Sequence, residues 1–203
     1  MLSTYTLVAF LHVLLFAYWL GSDLGVFICS LTARRADVSE DARARLQQAG
    51  TLIDMAPRTC LVLMVPAGLT LAVNFGSPIR GVALGAVWVA ALAWLWLVWE
   101  VHWRHGAPIG RIYWRIDFAV RSAVMAAFVG FGAWCLVTGS PVSSAWLAAK
   151  MLIFGLIILC GIIVRILLLR SRSGGASDLI RQVVLVIWVL VASAAFLGVT
   201  KPF

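Results

Sequence analysis

Six long apolar segments constrain this chain more than any other feature of its sequence. They cover residues 5–31, 53–75, 82–102, 117–138, 145–169 and 180–199. A helix needs about 20 mostly apolar residues to cross the hydrocarbon of a bilayer, and each segment reaches that length. The mean hydropathy is +1.02 and only 12% of the residues are charged, which leaves no stretch for a separate soluble domain. The sequence therefore predicts an all-α polytopic membrane protein, with residues 1–203 forming one six-helix bundle.

Basic residues are concentrated in the loops that follow the first, third and fifth segments. These residues are Arg34, Arg35, Arg43 and Arg45, then Arg104, Arg111 and Arg115, then Arg170 and Arg172. The other two loops contain only Arg80. Because arginine-rich short loops stay in the cytoplasm, we expect the basic loops to be cytoplasmic and both termini to lie outside. The net charge of +8 then reflects topology and attraction to anionic lipid, and we expect no nucleic-acid partner.

The first loop, "TARRADVSEDARARLQQAG", is expected to hold a short surface helix. Asp37 is a candidate N-cap for it, and Glu40 would complete a capping box.

An internal repeat is visible in the middle of the chain. "IDMAPRTCLVLMVPAGLTLAVNFGSP" begins at Ile53, and "IDFAVRSAVMAAFVGFGAWCLVTGSP" begins at Ile116. The opening I-D-x-A-x-R and the closing G-S-P recur in place. The repeat predicts two parallel helical hairpins that arose by duplication.

Each copy of the repeat places an arginine four residues after an aspartate. Asp54–Arg58 and Asp117–Arg121 can each form an ion pair on one helix, and we expect both pairs at cytoplasmic helix starts. Either the two charges of each pair neutralise each other, or Arg58 and Arg121 hold an anionic group. Arg165 is a candidate member of the same charged network.

The first segment carries polar residues that are costly in lipid. His12, Trp19 and Asp23 fall within about 20° of one helical face. Ionisable residues inside a membrane are functional candidates, although a histidine can also simply bond a neighbouring carbonyl. Lys150 enters its segment from the same side and is expected at a similar depth, where it either has a partner or snorkels to the interface.

A second candidate metal site lies at the end of the third segment, in "WEVHWRHG". Glu100, His102 and His105 are its possible ligands, and a solvated interface is the alternative interpretation. His12 and His102 are expected to be more than about 10 Å apart along the membrane normal, so one iron cannot bind both.

Three motifs resemble those of a known family. "LHVLLFAYWLG" resembles the opening of the HemJ-type protoporphyrinogen oxidases, in which tryptophan and glycine follow a histidine. "SSAWLAAKMLIFGLIIL" resembles their W-L-x-x-K helix, and "LVASAAFLGVTKPF" resembles their C-terminal helix, which closes on Lys-Pro. The wider group includes the CopD-like membrane proteins. HemJ-type chains generally have four helices, so this chain carries an extra hairpin.

The resemblance implies a haem-b-binding membrane protein with a redox function, in a bacterial inner membrane. His12 would be an axial ligand, and Lys150 a second ligand, proton donor or substrate anchor. The residues themselves add further candidates: Asp23, which the family pattern does not include, to join Lys150 in catalysis, and Trp19, Arg58 and Arg121 to contact the cofactor. Electrons would pass from a substrate or partner protein to quinone or oxygen, which favours a membrane oxidoreductase.

Two other functions remain open on the sequence. A CopD-like copper transporter would use soft ligands on the helices, for which the candidates are Met64, Met125, Met151, Cys60 and Cys135. A non-catalytic subunit would anchor a soluble dehydrogenase or an assembly partner in the membrane. Homo-oligomerisation is compatible with any of these functions.

Overall fold

The computed structural model describes residues 3–170 and 177–201 and contains helices but no strand within those ranges. Arg172 and Pro202, which the sequence interpretation used, lie outside them. The helices are α1 (Thr4–Ala33), α2 (Glu40–Ile53), α3 (Met55–Ala72), α4 (Val82–Trp103), α5 (Pro108–Thr138), α6 (Ala145–Arg170) and α7 (Ser177–Thr200), with a 3₁₀ turn at Val73–Phe75. Six helical stretches are long and apolar enough to cross a membrane, because α2, α3 and the turn form one stretch, Glu40–Phe75. The all-α, six-span prediction is confirmed.

The predicted start of the fourth segment, residue 117, is wrong. Helix α5 begins at Pro108, which occupies the first turn, where its missing N–H has no intrahelical partner to lose. Arg111 and Arg115 therefore lie on α5 and not in a loop, and Asp117 lies well inside the helix. Apolarity marks only the part of a helix that contacts hydrocarbon, and α5 extends beyond it.

The first loop forms the expected helix, α2, but Asp37 does not cap it. Ser39 is the N-cap, and its hydroxyl accepts a hydrogen bond from a first-turn amide. Asp37 instead accepts two hydrogen bonds from Arg35, and this guanidinium lowers the pKa of the Asp37 carboxyl below its usual value. Arg43 donates to the carbonyl of Ala33 at 2.9 Å and so satisfies the end of α1.

The chain divides into two compact units, Met1–Leu71 with Ile79–Trp103, and Ala72–Pro78 with Arg104–Phe203. In the first unit the Trp88 indole donates a hydrogen bond to the Thr70 hydroxyl at 3.1 Å. The same hydroxyl donates to the Pro66 carbonyl at 2.7 Å. These bonds tie α4 to α3. The expectations of a single domain, of a duplicated hairpin and of outward termini stay predictions.

Close backbone contact between α5 and α6 organises the second unit. A Cβ on Gly132 would lie 2.6 Å from the backbone nitrogen of Leu152, and one on Gly155 would lie 2.8 Å from that of Val129. The Phe128 and Phe154 rings meet edge to face, with centroids 5.0 Å apart. The absent side chains let the helices approach, as small residues do in membrane bundles.

Many large apolar side chains point outward from the helices. Examples are Phe10, Val13, Val89, Trp96, Val137 and Val199. In water such a surface would drive aggregation, whereas lipid covers it at no cost. Their exposure suits contact with membrane lipid.

Gly132→Ala should destabilise the protein, because its Cβ would meet backbone atoms that cannot rotate away. The expected loss is about 1–3 kcal/mol, as for other overpacking changes. Gly161→Ala on α6 is the matched control, since nothing lies within 4 Å of its Cβ position. Thermal unfolding in detergent measures both variants, and an equal unfolding midpoint for the two would contradict the close contact.

Candidate functional site

His12 is half-buried on α1 and lies against a glycine of α3. A Cβ on Gly68 would be 3.5 Å from Cε1 of the imidazole, so the ring rests on backbone that carries no side chain. The Nδ1 atom of His12 is buried in the protein. The structure therefore turns one ring nitrogen inward.

An apolar groove of ≈ 360 Å³ lies further along α1 and is lined by residues of α1, α2, α3 and α4. Its lining is Leu14, Leu15, Tyr18, Leu52, Met55, Ala56, Thr59, Cys60 and Trp99. The Thr59 hydroxyl is buried and has no hydrogen-bond partner among the described residues. Leaving a buried hydroxyl unbonded costs about 1–3 kcal/mol, which a ligand with a polar oxygen would offset.

Charged groups gather beyond the other end of the groove. The Trp19 indole is buried and hydrogen-bonds the half-buried Asp23 carboxyl. Asp54 lies close enough to repel Asp23 and is itself ion-paired with Arg58. Arg58 therefore already has a carboxylate partner, and an anionic ligand would have to compete with Asp54.

These three features follow one line, which we call the α1–α3 seam: His12 on Gly68, then the groove, then Asp23 with Asp54. The helical face predicted from the spacing of His12 and Asp23 is the face that meets α3. Their separation along α1 is about 16 Å, roughly half the thickness of a bilayer core. The groove was not predicted, because it depends on residues of α3 and α4 whose register the sequence does not give.

The second unit holds a buried charged cluster around Asp117, which is 1% exposed. Its carboxylate accepts hydrogen bonds from Arg121 at 3.1 Å and from Arg165 at 2.6 Å. Arg165 also stacks over the Trp114 ring, 5.3 Å from its centroid. Arg165 joins the network as expected, whereas no sequence signal pointed to Trp114. Arg121 donates to Asp117 from the same helix through Nε, and Arg165 reaches the same carboxylate from α6, which makes the cluster a tie between α5 and α6.

Lys150 lies in the second unit, half-buried on α6 with its ammonium group against Gly198 of α7. Its predicted roles as a second haem ligand or proton donor stay predictions. Lys150 thus lies against a glycine of a neighbouring helix, as His12 does, and both contact backbone that carries no side chain.

The proposed second metal site is not assembled. No group of three His, Cys, Asp or Glu side chains with metal-binding geometry occurs in residues 3–170 and 177–201. Glu100 is buried on α4, whereas His102, two residues later, projects from a different face, and His105 follows the end of the helix. The four cysteines are free thiols, and they form no such group in those ranges either.

Asp117→Asn should be far more harmful than Asp54→Asn, although the two positions match in the repeat. Removing the Asp117 charge leaves two partly buried guanidiniums without their carboxylate, at a cost of about 3–5 kcal/mol. The Asp54–Arg58 pair is about one-third exposed, and its loss should cost at most about 1 kcal/mol. Thermal unfolding in detergent compares the stability of the two variants. Equal losses of stability would contradict the role of Asp117 as a tie between α5 and α6.

Comparison with known proteins identifies no relative. No family model, curated protein or solved structure matches this chain. The motifs of the sequence and the geometry of the seam are the features that bear on its function.

Proposed function

We propose that this protein is an integral membrane redox protein that binds haem b, with His12 as an axial ligand. The supporting observation is the placement of His12, an imidazole in an apolar helix that rests on Gly68. The donor fits the group, because His12 presents an imidazole from an apolar helix with its Nδ1 buried in the protein, and imidazole nitrogen is a common axial ligand of haem iron. When bound, haem supplies one-electron chemistry that protein side chains lack.

The chain contributes position and environment. Gly68 sets how closely the imidazole approaches α3. The apolar side chains of α1 and α3 exclude water, and this exclusion would tune the reduction potential of bound haem. Trp19 orients the Asp23 carboxyl through its hydrogen bond. Asp23 also interacts with the thiol of Cys60, a groove residue, and in this proposal it would exchange protons with a ligand bound in the groove.

Quinone is the electron acceptor that suits the groove. Its apolar ring and tail match the lining, and its carbonyl oxygen can accept the hydrogen bond that Thr59 does not make within the described residues. Reducing a quinone to its quinol takes up two electrons and two protons. A haem held by His12 would supply one-electron chemistry, and Asp23 is the nearby group that would hold and pass on protons.

The proposal extends to topology and location. Arginine-rich loops facing the cytoplasm would place the Asp23 end of the seam inside and the His12 end outside, in a bacterial inner membrane. Lys150 would serve as an anchor for an anionic group, because the Asp117 carboxylate is bound by Arg165, about 22 Å from Lys150 along α6.

His12→Ala should abolish the Soret band of the purified protein. Without its imidazole the seam has no nitrogen ligand for iron beside Gly68. His105→Ala is the control, because His105 is exposed and lies beyond α4. Visible spectra and haem content per chain measure the result. A normal spectrum in His12→Ala would contradict the assignment.

Thr59→Val should slow the transfer of electrons to quinone about fivefold at low quinone concentration. The change removes one hydrogen bond, worth about 1 kcal/mol, and keeps the shape of the side chain. Thr51→Val is the matched control, since the Thr51 hydroxyl is exposed and bonds Gln47. The assay follows reoxidation of the reduced protein by a short-chain ubiquinone. Equal rates for both variants would exclude the groove as the quinone site.

A further inference from the structure

Two lysines come together at one end of the second unit. A Cβ on Gly198 would lie only 2.5 Å from Nζ of Lys150, so the ammonium group occupies the space that a side chain would need. Lys201 follows Gly198 by less than one helical turn, and its backbone N–H donates a hydrogen bond to the Leu197 carbonyl at 3.1 Å. The two ammonium groups interact electrostatically.

Aromatic rings form one wall beside these lysines. The Lys201 ammonium group lies 4.8 Å from the centroid of the Phe75 ring, a cation–π contact. Phe75 in turn meets Trp146 edge to face, with centroids 5.0 Å apart. Trp146 is one turn before Lys150 on α6. Each lysine is therefore packed against a defined neighbour, Lys150 against Gly198 and Lys201 against Phe75.

No carboxylate of the described residues in this unit is near the pair. Its aspartates are Asp117 and Asp178, and Asp117 is bound to Arg165. Arg165 is about 22 Å from Lys150 along α6, and Asp178 is about 30 Å from Gly198 along α7. Two like charges at a membrane-spanning helix pair, without such a partner, are unfavourable. An anion bound between them would remove the repulsion.

The surroundings indicate what kind of anion. Phe196 and Val199 on the same end of α7 are 66% and 84% exposed, so this end of the helix presents apolar surface to lipid. We propose that Lys150 and Lys201 bind the anionic head group of an amphiphile, a phosphate or a carboxylate, whose apolar part lies along this end of α7. The site does not depend on haem, because it uses no residue of the seam.

The probe for a binding test is dioleoyl phosphatidylglycerol, with phosphatidylcholine as the neutral-head-group comparison. Bound lipid is counted by native mass spectrometry of the protein in an uncharged detergent. Lys150→Met and Lys201→Met should each lower the affinity for phosphatidylglycerol roughly tenfold, since each removes a charge-assisted contact. A fatty acid of equal chain length tests the carboxylate source.

Arg45→Gln is the control for charge, because it removes the same charge from an exposed ion pair with Asp41. It should bind phosphatidylglycerol as the wild type does. His12→Ala should also bind normally, which separates this site from the haem proposal. Equal affinity of the lysine variants and Arg45→Gln would overturn the site. So would equal binding of the two lipids, or competition by inorganic phosphate at the lipid's own concentration.

Discussion

The cost of placing polar side chains in hydrocarbon governs this protein. Six helices satisfy their own backbones, so the free-energy problem that remains belongs to the few ionisable residues on them. The chain solves it locally. His12 rests on Gly68 and Lys150 on Gly198, where missing side chains make room for a polar one. Asp117 is held by Arg121 and Arg165. Each solution fixes the position of a reactive or charged group and also joins two helices.

The same constraint gives the two Asp–Arg pairs different roles. Asp54 and Asp117 open matching stretches of sequence, yet their side chains are 31% and 1% exposed. Asp117 is a structural tie because a second arginine reaches it from α6. Asp54 meets another carboxylate, that of Asp23, and so belongs to the charged end of the seam. The same short Asp–Arg motif can thus serve packing in one place and border a candidate site in another.

Hydropathy and helical periodicity predicted the helices and one face of α1, because both depend on short-range patterns that lipid enforces. The predictions that failed involve neighbours or ends. Asp37 was displaced as a cap by Ser39, and α5 begins at Pro108. Glu100 and His102 lie close in sequence but project from different faces of α4. The groove around Thr59 and the stacking of Trp114 on Arg165 depend on helix register, which single-helix patterns do not encode.

The central claim is that His12 lies within the membrane because it holds haem iron. The most direct test is the visible spectrum of the wild-type protein, purified from cells with ample haem and recorded oxidised and dithionite-reduced. The account predicts a Soret band with b-type α and β bands, and a pyridine haemochrome that confirms haem b. A colourless protein would contradict the claim and favour a polar seam that serves proton transfer or packing.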